Sequence, residues 1–526
     1  MDREWLKLFF EENYPTQASG VVAAAVTVIL AYSIHSLVSL RKKNVAVWHR
    51  KGYMEIPTPK DSYPYFGHML SLGKKPFLQL EKWHQELGPV VHIDMGIQPW
   101  VLISDPYIAH ELFVKNEVKS SDRMRHAFTY DVYSKGGKGI VFIPPNQEWK
   151  NCRTVADTIL STENIKNFVN IIEAVTDNTI NRLKEVSEKD GSVSPVKYIQ
   201  KAIFGIMISL LFGKTPGSIE DSLLDSIICM AENELRLAGP SGDIGSFLRY
   251  SSWVNTVTRK NKEIKSVVDT RDKVYGELIS EAIAGETDCL AKQANLLKEK
   301  YNLDEMDLII IMDELIGAGG DTTAASASWL FAILPRYPDI QKKMGEEIDK
   351  FIAKNGRIPT FSDRKELPYV IAVLRENLRY RSVTCLGLPH LAAEDVELLG
   401  YYIPKGTVLI SSMPALNMNQ DVFDDPKEFN PERFLGDTST WSESTQGDIQ
   451  SRNVFAFGWG KRSCPGVNLA EMNVFNICVR TFAHYTIEPT LGTDGKPSYA
   501  DLNDILSLGT LYGPNEFSVK IVKRAV

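Results

Sequence analysis

The residues best suited to chemistry lie near the C-terminus, in the segment F-G-W-G-K-R-S-C-P-G at positions 457–466. Cys464 stands in this glycine-rich loop, and apolar residues recur at helical spacing directly after it, across 467–484. A cysteine just ahead of a helix meets the positive end of the helix dipole and free backbone N–H groups, which favour a thiolate over a thiol. No second cysteine or histidine lies nearby in the sequence. The thiolate is therefore predicted to bind a metal held mainly by a cofactor, most obviously a haem iron.

The neighbours of the cysteine fit the same interpretation. Gly458 and Gly466 let the backbone approach a flat ring closely, because they carry no side chain. Arg462 can reach a haem propionate, and Phe457 can shield the sulfur. The alternative is an ordinary glycine-rich turn with a buried cysteine. The cysteine alone would favour that alternative, whereas the whole segment favours the haem ligand.

A second candidate lies on a long apolar segment at 304–334, which ends at Pro335 and is predicted to form one helix of about 45 Å. Its centre holds Gly317, Gly319 and Gly320, and each interior glycine costs a helix about 1 kcal/mol relative to alanine. We therefore expect these glycines to serve a local groove or the close approach of a flat ligand. An aspartate and threonines follow them and offer an acid and a hydroxyl for proton transfer. Capping-type residues at a helix kink are the alternative.

With these residues, the chain resembles the cytochrome P-450 superfamily of haem-thiolate monooxygenases, in its microsomal, membrane-anchored form. The signature F-x-x-G-x-R-x-C-x-G is met at Phe457, Gly460, Arg462, Cys464 and Gly466. Further motifs follow the family order over nearly the whole chain. The resemblance implies a mainly α fold with a small β-rich lobe, and a haem b between the long central helix and the helix after the cysteine loop. It also implies that Cys464 supplies the axial thiolate to the iron.

Two further motifs are carried over from the family. The string A-G-G-D-T-T resembles its oxygen-activating motif, in which Thr322 would donate a hydrogen bond on the oxygen-binding side and Asp321 would relay protons from solvent. Glu376 and Arg379, in R-E-N-L-R, match E-x-x-R. In the family this pair is buried and closes a triad with a downstream arginine, here Arg433. The triad would hold the haem-side meander in place.

The resemblance also assigns residues to the haem propionates. Trp149 and Arg153 match W-x-x-x-R on a helix, with Arg153 facing a propionate. His126 lies where members often place another propionate contact. His390 stands where many members have arginine; a histidine can donate one hydrogen bond there, but its charge depends on pH.

The bulk composition is that of a large globular protein. The chain has 526 residues, of which 44% are hydrophobic and 24% charged. Its net charge of −7 argues against nucleic acid as a main partner. The six cysteines are scattered without a CxxC pair, which favours reduced thiols in a cytosol-facing domain.

The N-terminus predicts a membrane anchor. Residues 18–40 carry no formal charge and are long enough to cross the ~30 Å hydrocarbon core of a bilayer as a helix. The leader at 1–17 is acidic, whereas basic residues and a proline-rich hinge occupy 41–67. The positive-inside rule then places the catalytic domain, 68–526, on the cytosolic side of the endoplasmic reticulum membrane. A cleaved signal peptide and a buried core helix are the alternatives.

Hydrophobic periodicity predicts the remaining elements. Strands are predicted at 90–96, 100–105, 396–403 and 407–411. Helices are predicted at 163–186, 196–212, 219–237, 260–284, 304–334 and 368–380. The first two strands form a hairpin with its turn at 96–99, and the polar segment 436–451 is predicted to be a surface loop.

By the same resemblance, the substrate pocket is lined by four mostly apolar segments, 120–145, 316–322, 383–388 and 507–510, with 196–260 as a mobile lid. Apolar walls with scattered hydroxyls suit a lipophilic molecule held by few polar contacts. Steroid, terpenoid, polyketide and fatty-acid substrates all stay open. A rigid polycycle such as a steroid or terpenoid is favoured.

The electron donor is expected to be a separate protein. No glycine-rich dinucleotide fingerprint joined to a flavin-binding region occurs in the sequence. Electrons from NADPH are therefore expected through a flavoprotein, NADPH–cytochrome reductase, with cytochrome b5 as an additional candidate. Lys150 and Lys461 are expected on the thiolate side of the haem, where a basic patch would attract an acidic reductase. Simple solvated lysines are the alternative.

Two other functions stay open from the sequence. A haem-thiolate isomerase or dehydratase would act without dioxygen or a reductase, and would not need the acid–alcohol pair of Asp321 and Thr322. A non-catalytic haem- or sterol-binding membrane protein would gain nothing from a proton relay. The pair therefore disfavours both.

Overall fold

The computed structural model describes the following residues: 48, 50–73, 75–218, 220–239, 244–248, 260–508 and 511–524. The predicted leader and anchor, 1–40, lie outside the described residues, as do parts of the predicted lid. Within the described residues, Pro195–Phe212 is the one helix long and apolar enough to span a membrane. Because 72% of it is buried in the protein, it has the environment of a core helix.

Helices make up most of the described chain. The α-helices are α1 (Pro76–Leu87), α2 (Pro106–His110), α3 (Glu117–Ser120), α4 (Gln147–Ile159), α5 (Thr162–Ile165), α6 (Val169–Asp190), α7 (Pro195–Phe212), α8 (Ser222–Ala238), α9 (Ile244–Phe247), α10 (Lys260–Ala284), α11 (Leu290–Lys298), α12 (Glu305–Ile333), α13 (Pro338–Asn355), α14 (Pro368–Tyr380), α15 (Met413–Asn417), α16 (Trp441–Gln446) and α17 (Val467–Phe482). Single π-helical turns lie at Glu111–Lys115 and Ala127–Tyr133. Short 3-10 turns lie at Lys166–Phe168, Leu334–Arg336, Phe361–Glu366, Pro431–Phe434 and Gly460–Arg462.

The strands form small separate sheets that pack against different helices. They are β1 (Val90–Met95), β2 (Gln98–Ile103), β3 (His390–Leu391), β4 (Val396–Leu398), β5 (Tyr401–Ile403), β6 (Val408–Ser411), β7 (Tyr485–Leu491), β8 (Pro497–Ser498), β9 (Ile505–Leu508), β10 (Leu511–Pro514) and β11 (Val519–Lys523). The largest sheet has the order β1–β2–β6–β3, with β2 and β6 parallel and the other pairs antiparallel. β4 pairs with β5, β9 with β10, and β7 with both β8 and β11. The mainly α fold with a small β-rich lobe is thus confirmed.

α12 is the central helix. It begins behind a reciprocal cap, in which the Asp304 carboxylate accepts from the Asp307 N–H and the Asp307 carboxylate accepts from the Asp304 N–H. Its side chains are buried on almost every face, as expected of a helix surrounded by protein. α7 packs along it, and α8, α10, α17 and β10 cover other faces.

The turn of the first hairpin is shorter than predicted. β2 begins at Gln98, so Pro99 lies inside the strand, opposite Asp94 of β1. The pairing of β2 with β6 starts only at Trp100. Pro99 therefore removes no hydrogen bond between β2 and β6, and a proline is tolerated near this end of the strand.

The sequence predicts the polar segment 436–451 to be a surface loop, but this prediction is wrong for part of it. It contains α16, whose first residue, Trp441, is 1% exposed. The Trp441 N–H donates to the Glu471 carboxylate of α17 at 2.8 Å, and Thr440 and Glu443 cap the helix reciprocally. One buried aromatic side chain thus outweighs the polar composition of the segment.

The predicted lid at 196–260 is also partly wrong. α7 occupies its first third and is buried along α12, because this helix is apolar on nearly all sides. A helix with this environment belongs to the core and cannot open like a lid. Part of the remaining predicted lid, 249–259, lies outside the described residues.

The predicted charge triad is confirmed. The Glu376 carboxylate accepts from Nε and Nη2 of Arg379, both at 2.7 Å, and lies 3.2 Å from Nε of Arg433. Arg379 also donates to the carbonyls of Asn417 and Pro426 at 2.9 and 2.8 Å. Because Glu376 and Arg379 are fully buried, these bonds tie α14 to the meander that precedes the cysteine loop.

Candidate active site

Cys464 lies between the 3-10 turn Gly460–Arg462 and the start of α17. Its backbone N–H donates to the Phe457 carbonyl at 2.8 Å, which closes the loop. The Cys464 side chain is exposed, although most of α17 directly after it is buried. The sulfur is therefore accessible to a group that enters beside this loop.

Burial raises the pKa of the Cys464 thiol, and the Gly466 backbone hydrogen bond and the nearby Arg153 charge lower it by less. Protein atoms therefore surround the thiol closely enough to disfavour its charge, although the residue as a whole is exposed. The Gly466 N–H thus favours the thiolate, as the sequence predicts, but burial outweighs this effect when nothing is bound to the sulfur. A cation at the sulfur would hold the negative charge of a thiolate, and a metal ion would serve as that cation.

The conformation of the loop accounts for two of its glycines. Gly458 has φ of +75° and Gly460 has φ of +52°, the left-handed region that favours glycine. A Cβ on Gly460 would also lie 2.6 Å from the Phe113 carbonyl oxygen. A Cβ on Gly466 would meet the Cys464 sulfur at 3.8 Å, an ordinary contact. The Phe457 ring packs against that of Trp441 at 5.6 Å.

α12 has an opening in its middle. Ala318 is exposed, and Gly317, Gly319 and Thr322 are half-buried, whereas the turns before and after them are buried. A Cβ on Gly317 would meet no atom within 4 Å. The Thr322 hydroxyl donates to the Ala318 carbonyl at 2.5 Å and so lies on the open face. This face offers the groove that the glycines predict.

Two of the three glycines serve a different purpose. A Cβ on Gly320 would lie 2.6 Å from the Phe204 ring, and one on Gly319 would lie 3.0 Å from the Met207 methyl group. Both partners belong to α7. These glycines therefore allow two helices to approach closely, and Gly317 alone borders open space.

Asp321 lies next to Thr322 in sequence but points to a different neighbour. It is 3% exposed, and its Oδ1 accepts from the Gln200 amide of α7 at 3.0 Å. Burial raises the pKa of Asp321 to about 7, the Gln200 hydrogen bond lowers it, and the Glu232 charge raises it. Asp321 and Thr322 are thus adjacent in sequence, but the Thr322 hydroxyl lies on the open face of α12 whereas the Asp321 carboxyl is buried against α7.

Arg462 and Trp149, which belong to two separate motifs of the sequence, contact each other in the structure. The Arg462 guanidinium lies 4.5 Å from the centre of the Trp149 ring. It donates to the carbonyls of Ser121, Ile140 and Ile143 at 3.0, 3.2 and 2.5 Å. Burial lowers the pKa of Arg462 to about 8. Within the described residues its hydrogen bonds all go to carbonyl groups, so the buried guanidinium has N–H groups left for an anion.

The loop that supplies the Ile140 and Ile143 carbonyls to Arg462 is itself bound to α12. The Glu314 carboxylate accepts from the N–H groups of Ile140 and Val141 at 2.6 and 3.1 Å. Burial raises the pKa of Glu314 to about 8. Motif spacing did not indicate this residue, because its role depends on a loop more than 170 positions away.

A second buried arginine was missed from the sequence. Arg123 is 6% exposed and donates to the carbonyls of Val141, Leu388 and Pro389 at 3.1, 2.8 and 2.7 Å. Burial lowers the pKa of Arg123 to about 10. Arg123 stands three positions before His126 in a run of cations. Only burial distinguishes the member of that run that faces the site.

The two histidines are placed differently from Arg123. His390 is buried, and its Nδ1 lies 2.8 Å from the Ser120 carbonyl, which can only accept, so Nδ1 carries the proton. Burial and the charges of Arg123 and Arg462 lower the pKa of His390. The neutral ring therefore offers no donor to an anion. His126 contacts Met124 at 3.4 Å and Phe247 at 5.4 Å.

Arg153 lies on α4, one turn after Trp149. Its Nε donates to both carboxylate oxygens of Asp157 at 2.9 Å. Its positive charge lowers the pKa of Cys464 and of Arg462. Arg153 is thus close to both residues but already has an anionic partner in Asp157. Arg123 and Arg462, in contrast, take part in none of the ion pairs among the described residues.

Together these residues fit a haem. Two buried guanidinium groups, Arg123 and Arg462, suit two propionates, because burial without an anion disfavours their charged form. Cys464 offers an accessible sulfur. The open face at Gly317 and Thr322 provides space on α12, which packs against α17.

Comparison with known proteins agrees with this arrangement. The family model for cytochrome P450 matches residues 57–517. The chain is 29% identical over 476 residues to cytochrome P450 1A1 of Rattus norvegicus, covering 86% of this chain and 88% of that protein. It is 27% identical over 482 residues to cytochrome P450 monooxygenase 58 of Postia placenta, covering 90% of this chain and 89% of that protein.

Solved structures share the fold. A zebra fish cytochrome P450 with progesterone superposes with a TM-score of 0.72 at 24% identity, covering 85% of this chain and 99% of that chain. A second zebra fish cytochrome P450 structure, with abiraterone, gives a TM-score of 0.70 at 23% identity. At these identities the likeness shows the fold alone.

Proposed function

The chain belongs to the cytochrome P450 family of haem-thiolate monooxygenases, and on that premise we propose that Cys464 ligates the iron of haem b in an enzyme for rigid lipophilic substrates. The reaction inserts one atom of dioxygen into a substrate C–H or C=C bond. For hydroxylation, C–H, dioxygen, two electrons and two protons give C–OH and water. Steroids and terpenoids are the substrate classes we favour.

One observation carries the proposal most directly. Cys464 is an exposed residue beside a mostly buried helix, and it stands two residues from a buried arginine whose hydrogen bonds go to carbonyls. A cofactor that combines a cationic metal with anionic substituents would satisfy both groups.

When bound, the haem supplies dioxygen binding and one-electron chemistry. In the proposed arrangement, Cys464 holds the iron, and Arg462 and Arg123 hold the propionates. Trp149 supports Arg462 by ring contact and donates its Nε1–H to the Ile140 carbonyl at 3.0 Å. Arg153 contributes mainly through its charge, because Asp157 already binds its guanidinium.

We assign the proton-carrying role to Asp321 and Thr322. The Thr322 hydroxyl lies on the open face of α12, where it can orient a proton donor. The raised pKa of Asp321, about 7, lets the carboxyl exist in both protonation states near neutral pH. His126 and His390, by contrast, are the weaker candidates for propionate contacts, since neutral His390 would have to gain a proton first.

The substrate class is supported by the apolar residues around the site. Leu388 is 41% exposed although its carbonyl binds buried Arg123, and Leu506 of β9 is 40% exposed. An exposed leucine whose own carbonyl binds Arg123 suits contact with a lipophilic molecule beside the site. The predicted wall at 507–510 lies only partly within the described residues.

The electron donor and the membrane location are further parts of the proposal. NADPH–cytochrome reductase, with cytochrome b5 as a second donor, would dock on the thiolate side near Lys150 and Lys461. The anchor at 18–40 would hold the enzyme on the endoplasmic reticulum, facing the cytosol. The described hinge supports a fixed link, because Ile56 is buried and the Pro57 carbonyl accepts from the His92 N–H at 2.9 Å.

The membrane arrangement has its own test. Protease added to sealed microsomes should digest the catalytic domain, because it faces the medium. Removal of residues 1–43 should leave a haem-containing protein with weaker membrane association. Full protection from protease would reverse the topology.

The function is tested by reconstitution with a purified reductase. NADPH consumption and product formation are measured with steroids, terpenoids and fatty acids, after a spectral screen for binding that displaces the water on the iron. Label from isotopic dioxygen should appear in the product. Conversion without NADPH would instead indicate an isomerase or dehydratase, and binding without any conversion would indicate a non-catalytic binding protein.

A further inference from the structure

The packing of α7 on α12 brings a polar side chain to a buried acid. Gly320 lacks the Cβ that would lie 2.6 Å from the Phe204 ring, so α7 can approach closely. Gln200 lies one turn before Phe204 on the same face of α7, and Asp321 follows Gly320 on α12. The close helix contact therefore sets Gln200 against Asp321.

Gln200 bridges two carboxylates. Its Nε2 lies 3.0 Å from Asp321 Oδ1 and 3.0 Å from Glu232 Oε1 of α8. An amide nitrogen carries two hydrogens, so one group can donate to both oxygens. If the amide were reversed, its oxygen would face two acceptors whenever the carboxyl groups are ionised. The bridge thus fixes the orientation of Gln200.

The bridge also links a buried group to a more accessible one. Asp321 is 3% exposed, whereas Gln200 and Glu232 are only half-buried. Asp321 Oδ2 has no hydrogen-bond partner within the described chain. One oxygen of this acid is therefore held by Gln200, and the other remains available to carry a proton.

We propose that Gln200 and Glu232 are positioning residues for Asp321: the amide orients the carboxyl group, and the negative charge of Glu232 favours its protonated form. This inference rests on the proposed proton-carrying role of Asp321. The two residues act in opposite directions, since a donor to the carboxylate stabilises its charge and a nearby negative charge opposes it. The pKa of Asp321 reflects both effects together with burial.

Other ionisable groups on the elements around this part of α12 have their own partners. They are Lys201 of α7, which pairs with Asp225 of α8; Glu234 of α8, which interacts with Asp313; and Tyr512 of β10, which interacts with Cys385 and Ser507. Glu232 is the ionisable group whose charge acts on Asp321. Replacing it should therefore move the titration of Asp321 selectively.

The test follows the Asp321 carboxyl group itself. In the full-length holoprotein, the infrared C=O stretch of protonated Asp321 is identified by its loss in Asp321→Asn and followed against pH. Glu232→Gln should lower the midpoint of this titration by roughly one pH unit, because it removes a nearby negative charge. Gln200→Leu should raise the midpoint, because it removes a hydrogen bond to the carboxylate.

A matched control comes from the same helix pair. Asp225→Asn removes a carboxylate that joins α8 to α7 through Lys201 at 2.7 Å but does not touch Asp321. It should leave the midpoint unchanged. If Glu232→Gln and Gln200→Leu also leave the titration midpoint of Asp321 unchanged, as Asp225→Asn should, the inference is overturned.

A second readout separates this inference from the proposed function. The share of NADPH electrons that leave as hydrogen peroxide, from dioxygen plus two electrons and two protons, is measured for each variant against pH. The share of electrons lost as peroxide changes around a certain pH. Glu232→Gln should lower that pH, as it lowers the infrared midpoint. If the midpoint moves but Asp321→Asn leaves product per NADPH unchanged, the positioning stands and the proton-carrying role fails. If Asp321→Asn lowers product per NADPH while Glu232→Gln and Gln200→Leu leave the infrared midpoint unchanged, the proton-carrying role stands and the positioning role fails.

Discussion

The Arg462 guanidinium lies 4.5 Å from the Trp149 ring centre, and both side chains donate to the Ile140 carbonyl, at 3.2 and 3.0 Å. This pair forms a rigid wall in which the arginine is already oriented before an anion arrives. Preorganisation of this kind lowers the cost of ordering the side chain on binding.

Arg462→Lys is expected to weaken haem retention. A single ammonium group cannot replace three carbonyl contacts, the stack on Trp149 and a propionate contact together. Unsatisfied buried groups cost ~1–3 kcal/mol, so we expect roughly tenfold or greater loss of haem affinity. The haem-to-protein ratio after transfer to an apo-haem acceptor measures it. Arg480→Lys, at the other end of α17, is the control and should keep its haem.

Cys464→Ser should remove thiolate ligation. The reduced carbon monoxide complex should lose its strongly red-shifted Soret band, and reductase-driven activity should disappear with it. Cys229→Ser changes an exposed cysteine of α8 and should alter neither. A variant at position 464 that kept both the band and the activity would contradict the assignment.

Thr322→Ala should bind haem and substrate normally yet divert electrons to hydrogen peroxide. The reason is the loss of the hydroxyl that lies on the open face of α12 beside Ala318. Product formed per NADPH is the measurement, and Thr322→Ser should restore most of it because the hydroxyl returns. Unchanged coupling in Thr322→Ala would exclude the proton-transfer role.

Reversal of two charges should weaken reductase docking. Lys150 is exposed on α4, and Lys461 is half-buried in the turn before the cysteine. Lys150→Glu combined with Lys461→Glu should lower reductase-driven turnover and reduce its dependence on salt. Turnover driven by added peroxide should stay near normal. Equal loss in both assays would mean that the haem site was damaged.

Glu471 should make stability depend on pH. Burial raises the pKa of its carboxyl to about 7 in the folded protein, from 4.5 as the ordinary value. Between these values the unfolded chain has lost a proton that the folded protein keeps, so stability falls as pH rises through this window. The loss amounts to at most ~3 kcal/mol.

Glu471→Gln should remove most of that dependence, since the amide oxygen can still accept from the Trp441 N–H. The thermal midpoint of the holoprotein at pH 5 and pH 8 is the measurement, and the gap between the two should narrow. Glu488→Gln changes an exposed carboxyl on β7 and should leave the gap unchanged. If the difference in thermal midpoint between pH 5 and pH 8 is the same in Glu471→Gln as in the unmodified protein, groups other than Glu471 cause the pH dependence.

Elements with strong local signals were predictable from sequence. Pro368 and the periodicity after it predicted α14, Pro368–Tyr380, and the family resemblance correctly predicted the buried triad of Glu376, Arg379 and Arg433. The order of motifs mattered more than any single one, because order restricts which residues can meet in one fold.

Features that depend on long-range burial were not predictable in this way. Arg123 stands among other cations, and only its environment distinguishes it from His126. Trp441 turned a polar stretch into a helix through one carboxylate of α17. The sequence places α7 in the predicted lid, because apolar composition does not reveal which neighbouring element covers a helix. Gln200 carries no motif, and its bridge exists only because Gly320 lets two helices touch.

The buried guanidiniums of Arg123 and Arg462 have a consequence for the production of the protein in a cell. Removing these cations from water without an anion destabilises the empty chain, and a ligand that supplies the anion stabilises the folded state by mass action. Haem would therefore act as a folding ligand as well as a catalyst. Cells short of haem would accumulate less folded protein from the same amount of messenger, and supplementation with a haem precursor would raise the yield without any change in transcription.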